Sequence, residues 1–317
     1  MRRIGAGLLA LWMLWTGAAL AEEPAEDPAP AVTAAAETRL TEDPENGVWE
    51  YVSPELTLRI ERFRETVTYK KKSYLREYCI ADIRASGASP LRAITTEPTK
   101  KQPGGYKQVS PELLDQKGLP IFAMSDDMYG IRLRKFDYKG VVIRNGEIMS
   151  TKTRNSAKRR YWPNLDTMAL LPDGSLKTFV CDAHTAEEYL AMGAEQVFSF
   201  GPILLSEGTI NPEVLNPKYY PYNEPRVALG MIEPWHYIAI VVRGRPKSQY
   251  QGVHLDWLAQ KMQELGCVEA LNLDGGGTAT MMYNGKMVLT GDKGLRSQGS
   301  MIAFGVRGAP AEEADGE

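Results

Sequence analysis

Six stretches of this chain are strings of β-branched, aromatic and alternating apolar residues, and they restrict its fold more than any other feature. They read "LTLRIERF", "YLREYCIADIR", "GVVIRNGEIM", "RVALGMI", "HYIAIVVRGR" and "SMIAFGV", with Gly, Pro and Asn between them. Each is short enough for a strand and lacks a helical period. "RNGE", Arg144–Glu147, marks a two-residue hairpin, because Asn-Gly accepts positive φ at both central positions. Helical spacing appears in two places. Thr185 with Glu188 forms a capping-box pattern that Gly193 closes, and Leu255, Leu258, Ala259, Met262 and Leu265 recur until Gly266. Strands outnumber helices. The expected fold is α+β, with mixed β-sheets, a few covering helices and a single main domain.

Both helices lead into the same plan of glycine, short apolar strand and glycine turn. The first strand is "QVFSF" before Gly201-Pro202, and the second is "VEALNL" before Asp274 and three glycines. Each delivers a tight turn to the end of a sheet, a common place for ligands.

Three glycines remove every Cβ directly behind Asp274. A ligand can then approach main-chain N–H groups, and successive amides can form an anion-holding nest. Gly275, Gly276 and Gly277 are the expected nest, with the Thr278 hydroxyl beside it. The Asp274 carboxylate suits acid/base work or a grip on sugar hydroxyls. The bland reading is a turn that needs only glycine's freedom. Arg226 begins an apolar strand behind Pro225, and its planar fork suits phosphate; an ordinary surface ion pair is the competing use. Ser199 and Gly201 sit at the other glycine turn. His236 precedes a buried strand, where a structural role competes with ligand contact. In "AMSDDMYG" adjacent strand residues face opposite sides, so one of Asp126 and Asp127 is expected to face a shared site.

The ends of the chain bear on compartment. Arg2 and Arg3 precede an apolar run closed by "ALA", so residues 1–21 read as an export signal, with an uncleaved membrane anchor as the alternative. Residues 22–47 are rich in Pro, Ala, Glu and Asp and read as a disordered linker; 309–317 read as a disordered tail. The domain is assigned to 48–308, its first seventy residues expected to wrap around the rest. The formal charge is −3, and losing Arg2 and Arg3 makes it more negative, so no nucleic-acid partner is expected. The basic runs "YKKK" and "KTRNSAKRRYW" read as solvated loops or anion contacts. Three cysteines, Cys79, Cys181 and Cys267, stand among apolar residues and read as buried thiols, with one disulfide left open. No metal-ligand spacing appears, so neither cofactor nor metal is assigned. A divalent cation such as calcium on Asp126, Asp127 and Asp274 is left open.

Five blocks, in order, resemble the phosphodiester glycosidase domain family: "FSFGPILLSEG", "EPRVALG", "HYIAIVVRGR", "LDWLAQKMQELGC" and "EALNLDGGGTATMMYNGK". The resemblance covers most of residues 51–306. It implies an active site lined by Asn272–Thr278, with Thr278 in place of a usual serine, and matches Pro225–Arg226 and Phe200–Pro202 to family motifs. The chain departs from the family at Ser125-Asp126, where Asn-Gly is common, although Asp127 and Tyr129 match. It departs again at Arg243, where "DGR" is usual, and at Tyr250-Gln251-Gly252, where Tyr-Ser-x-Gly is usual. The expectation is an exported or cell-envelope hydrolase, of a kind whose bacterial members are linked to exopolysaccharide, cleaving a sugar-1-phosphodiester. Asp274 is assigned as base or nucleophile. Arg226 and the turn amides are assigned to the phosphate, and Asp127 to sugar positioning or a second catalytic role. Asn272, Ser199, Gly201 and His236 complete the expected carbohydrate site. The alternative is an inactive envelope-glycan binder, and an enzyme acting elsewhere on a glycan ranks last. Oligomeric state is not assigned.

Overall fold

The computed structural model describes residues 37–95, 114, 119–127, 140–151, 165–245, 249–291 and 298–307, all within the unit Ala36–Glu317. Strands are numbered along the chain. The largest sheet contains β1 (Arg39–Asp43), β2 (Val48–Val52), β3 (Thr57–Tyr69), β4 (Lys72–Arg84), β15 (His236–Arg243), β14 (Arg226–Glu233), β16 (Glu269–Leu273), β12 (Ile203–Ser206) and β13 (Thr209–Ile210), side by side in that order. A second sheet has the order β10 (Leu176–Phe179), β9 (Asp166–Leu170), β11 (Gln196–Phe200), β7 (Val141–Arg144), β8 (Glu147–Thr151). The third runs β18 (Lys286–Thr290), β17 (Thr280–Tyr283), β6 (Pro120–Ser125), β19 (Ser300–Val306), β5 (Arg92–Thr95).

Side-chain alternation explains the continuous apolar runs of the central strands. On β15, Tyr237, Ala239 and Val241 enter the core shared with Phe122, Phe304, Met168 and Phe198 of the two smaller sheets. Ile238, Ile240 and Val242 face the other way, toward helix α2 (Leu255–Glu264) and its buried Leu255, Leu258, Ala259 and Met262. A strand covered on both faces has no polar side, so no polar alternation survives in its sequence. The short helix α1 (Ala186–Ala191) packs Ala186 and Tyr189 on the second sheet, and its Thr185–Glu188 capping box is formed. The Asn145-Gly146 turn has φ of 51° and 81°, as the left-handed hairpin geometry requires.

Three expectations change. The described ladders are antiparallel throughout, so the sheets are not mixed, although sheets with a few helices remain within the α+β class. Residues 39–43, expected within the linker, form β1: they pair with β2, and Glu42 binds Lys286 at 2.7 Å. Pairing supplies the stability that their composition lacks. Finally, β2–β4 do not wrap around the domain. They extend its main sheet outward from β15.

Cys79 and Cys267 are buried free thiols, and Cys181 is partly buried. Among the described residues no helix is long and apolar enough to cross a membrane. "YKKK" forms the exposed tip of the β3–β4 hairpin. The signal, the tail, Tyr129 and the second basic run lie outside the described residues.

Candidate active site

The two glycine turns expected at sheet ends meet. The Gly201 N–H donates to the Asn272 carbonyl at 3.0 Å, and the Asn272 N–H donates to the Pro202 carbonyl at 3.2 Å. The Asn272 side chain closes the link, with Nδ2 donating to the Gly201 carbonyl at 2.8 Å. Strand β6 reaches the same place from the third sheet, where the Asp274 N–H donates to the Asp126 carbonyl at 2.9 Å.

The β14–β16 ladder ends beside Asp274. Val227 is opposite Leu273 in its last pair, and Arg226 and Asp274 are the next residues along the two chains. The turn is pinned in this position: the Gly276 N–H donates to the Pro225 carbonyl at 2.8 Å, and a Cβ on Gly275 would fall 2.3 Å from that same oxygen. Glycine at 275 is therefore a packing requirement. Gly276 adopts φ of 59°, the left-handed region, for the turn itself.

These bonds correct the picture of a three-amide nest. Gly276 is engaged with Pro225, and the Thr278 N–H with the Gly275 carbonyl at 3.0 Å. Among the described contacts, the Gly275 and Gly277 amides are left as main-chain donors for a ligand. Arg226 supplies the charge beside them. Its Nε donates to the Val253 carbonyl at 3.3 Å and its Nη2 to the Tyr222 carbonyl at 3.1 Å, and no carboxylate forms an ion pair with it among the described residues. Loss of solvent lowers this guanidinium to about 10, so it is still charged at neutral pH. A cation held by two neutral carbonyls attracts an anion.

Arg245 is a second cation at the turn, and the sequence reading did not single it out. It binds Glu224 at 2.9 Å, and its Nη2 lies 2.9 Å from where a Cβ on Gly276 would stand. Its signal is the "RGR" motif, whose departure from the family pattern lies at Arg243. That residue instead pairs with buried Glu77 at 2.8 Å and lies over the Tyr250 ring at 3.9 Å.

Arg144 was also missed. It is buried at the end of β7 and binds both Asp126, at 3.2 Å, and Asp127. The expectation that only one aspartate could face inward fails because β6 ends at Ser125, and strand alternation ends with it. Asp127 is wholly buried, with Oδ1 on Arg144 and Oδ2 accepting from the Ser199 N–H. Its carboxylate braces the scaffold behind Asp274. Ser199 is likewise interior, its hydroxyl donating to the Leu165 carbonyl at 3.1 Å. A buried arginine between two acids leaves no helical or strand-like period, which is why sequence patterning overlooked it.

His236 is elsewhere. It opens β15 at the far end of the ladder, opposite Glu233, whereas Arg226 is opposite Val242. Six residues of strand separate them, about 20 Å at 3.4 Å per residue. There His236 Nε2 contacts Asp82 at 3.0 Å, which gives it a structural partner. Two other expected residues keep orphaned polar atoms at the site: Asn272 Oδ1 and Thr278 Oγ1 are buried with no partner among the described residues. Asp274 itself is 8% exposed. Among the described residues no three His, Cys, Asp or Glu side chains form a metal-holding group. The assembly can hold an anion against Arg226 and the turn amides while a carboxylate stands on the neighbouring strand.

Comparison with known proteins converges on the same elements. The phosphodiester glycosidase family profile matches residues 120–305, which include β6, both glycine turns, Arg226 and α2. Among solved structures, the catalytic domain of zebrafish N-acetylglucosamine-1-phosphodiester alpha-N-acetylglucosaminidase, auto-inhibited by its pro-peptide, shares the fold. Its TM-score is 0.61 at 17% identity, over 86% of this chain and 88% of that one. A hypothetical protein from Synechocystis matches at TM-score 0.46 and 14% identity, over 80% and 63%. A comparison with curated proteins finds no match.

Proposed function

The chain belongs to the phosphodiester glycosidase family, and we propose that it is an exported enzyme hydrolysing a sugar-1-phosphodiester on an envelope or extracellular glycan. The observation that carries this reading is the ladder that brings the turn after β16 against the start of β14: a Cβ on Gly275, next to Asp274, would lie 3.0 Å from the Arg226 Cα. One strand offers a carboxylate to the anomeric carbon while the next offers a guanidinium to the phosphate attached to it.

In this reaction the bond between C1 and the bridging phosphate oxygen breaks. The electron pair leaves with the phosphate, and water supplies the new C1–O bond and a proton. Positive charge develops at C1 in an oxocarbenium-like transition state, and a nearby carboxylate stabilises it. The leaving phosphate monoester is stable as an anion, so a strongly tuned acid is not needed to protonate it. Arg226 and the Gly275 and Gly277 N–H groups stabilise the charge it carries away. Asp274 acts at C1, either as base toward water or as nucleophile. The two differ in the anomer released, inverted in the first case and retained in the second. Arg144 and Asp127 act from behind: they fix β6 and β11, and the β6 extension holds the Asp274 main chain.

The test is incubation with methyl phosphodiesters of α-hexose 1-phosphates, following released sugar and its anomer by NMR. Turnover is expected, and Asp274→Asn, which keeps size and polarity, should lower kcat by about 10²-fold or more with melting unchanged. A folded Asn variant with the parent rate would remove Asp274 from the chemistry. No sugar release from any member of the panel would overturn the substrate class.

A further inference from the structure

We propose that Gln251 selects the sugar, taking two adjacent ring hydroxyls with one carboxamide. The proposal rests on the phosphodiester glycosidase reading and names what that site reads beyond the phosphate. Gln251 is 1% exposed, and among the described residues neither its Oε1 nor its Nε2 has a partner. A buried amide left in this state is destabilising, because each unpaired group has lost its water, so such a residue calls for a ligand.

Its backbone is held firmly next to the site. The Leu75 N–H donates to the Gln249 carbonyl at 3.0 Å, and the Gln251 N–H donates to the Leu75 carbonyl at 2.7 Å. Two residues on, Val253 and Glu224 exchange bonds at 3.1 and 3.2 Å, and the Val253 carbonyl accepts from Arg226. The segment Gln249–Val253 thus crosses from β4 to the residues before β14, and Gln251 lies midway. A Cβ on Gly252 would fall 2.4 Å from the Glu224 main chain, so there is no slack between this segment and the Arg226 strand. Tyr250 is clamped under Arg243, whose partner Glu77 also binds Arg64 at 2.5 Å. The substitution of aspartate by arginine in the "RGR" motif therefore has a use: it helps to anchor the segment that carries Gln251.

The chemistry names the ligand group. A carboxamide offers one acceptor and two donors, with no charge. Oε1 accepts from one hydroxyl and Nε2 donates to its neighbour, a geometry that fits a vicinal diol. Two other orphaned atoms of the glycine-turn segment, Asn272 Oδ1 and Thr278 Oγ1, are neutral as well. An uncharged group of this kind matches a neutral polyhydroxylated ring better than a second anion.

The experiment compares the parent chain with Gln251→Leu and Gln251→Asn on α-hexose-1-(methyl phosphodiesters) and their 2-, 3-, 4- and 6-deoxy analogues. It records kcat/KM and the melting temperature without ligand. The parent should disfavour two adjacent deoxy analogues by about 10- to 100-fold, the scale of one buried group left unpaired. Gln251→Leu should treat those analogues and the full sugar within about threefold of each other, and melt no lower than the parent, because it removes an unsatisfied amide. Gln251→Asn should also lose the discrimination, since its amide is withdrawn by one methylene. If either folded variant keeps the parent's deoxy profile, Gln251 does not read the sugar. If the parent hydrolyses nothing, the enzymatic reading fails separately. Calorimetric binding of α-hexose 1-phosphates and their deoxy forms then decides, and equal affinities for parent and Leu variant overturn the role of Gln251.

Discussion

Gly275 and Gly276 are neighbours that need glycine for different reasons. At Gly275 a methyl group would collide with the Pro225 carbonyl, which is backbone and cannot move aside. At Gly276 the strain is positive φ, and the nearest atom is the end of the flexible Arg245 side chain. Gly275→Ala should therefore lower the melting temperature more than Gly276→Ala, by the equivalent of about 1–3 kcal/mol of overpacking. Thermal denaturation of the two variants checks this, and the reverse order would show that contact with Pro225 does not set the turn. Arg226 allows a sharper comparison. Its planar fork supplies geometry as well as charge, so Arg226→Lys should keep part of the activity that Arg226→Ala loses. The alanine change should weaken a sugar-1-phosphodiester by about 2–5 kcal/mol, the scale of removing one partner of a buried charge pair. A neutral aryl glycoside lacks the anionic oxygens and should be affected much less in parallel kinetics. Equal losses on both substrates would show that Arg226 does not read phosphate.

At the scale of elements, Arg144 ties the second sheet to the third. It leaves the end of β7, lies 4.4 Å from the centre of the Phe198 ring on β11, and binds the two aspartates that follow β6. Removing it strands two carboxylates inside the protein. Arg144→Met should cost about 3–5 kcal/mol, the penalty of breaking a buried pair from one side. Adding Asp126→Asn and Asp127→Asn to that variant should restore part of the loss, because no buried charge then lacks its partner. Urea unfolding of the single and triple variants measures both. A triple variant less stable than the single would mean that the aspartates are held by something other than Arg144. The same elements show how far sequence patterns reach. The Asn145-Gly146 turn and the α1 capping box were legible because their signals lie within four residues. Strand alternation misjudged Asp126 and Asp127 because it presumed a strand that stops at Ser125.

For the whole molecule, burial makes stability depend on alkaline pH. The interior pushes the Cys79 and Cys267 thiols up to about 12, and the Tyr189 and Tyr283 phenols also to about 12, chiefly by desolvating their charged forms. A group with a folded pKa above its unfolded one holds its proton more tightly when folded. Its stabilisation is complete below the unfolded value and lost as pH rises through the folded one. Unfolding free energy should therefore decline with pH above about 9, where unfolded thiols begin to ionise. Cys79→Ala with Cys267→Ala should flatten the early part of that decline. Denaturant titrations from pH 7 to 11 test it, and an unchanged slope in the double variant would contradict the assignment.

The sequence by itself determined the strand-rich character, both helices and the glycine turn behind Asp274, because each is written in neighbouring residues through steric and hydrogen-bonding rules of short range. It also carried the family resemblance, since the matching blocks keep their order along the chain. The tertiary structure decided which of these residues meet. The pairing of β14 with β16 brings the Asp274 turn beside Arg226, residues nearly fifty positions apart. Asp127 became a brace, and His236 was carried to the opposite end of the sheet, by strand pairings that no local pattern encodes. Side-chain type constrains the chemistry available at each position, whereas proximity arises only when distant strands choose their partners. That choice depends on burying both faces of the central sheet at once.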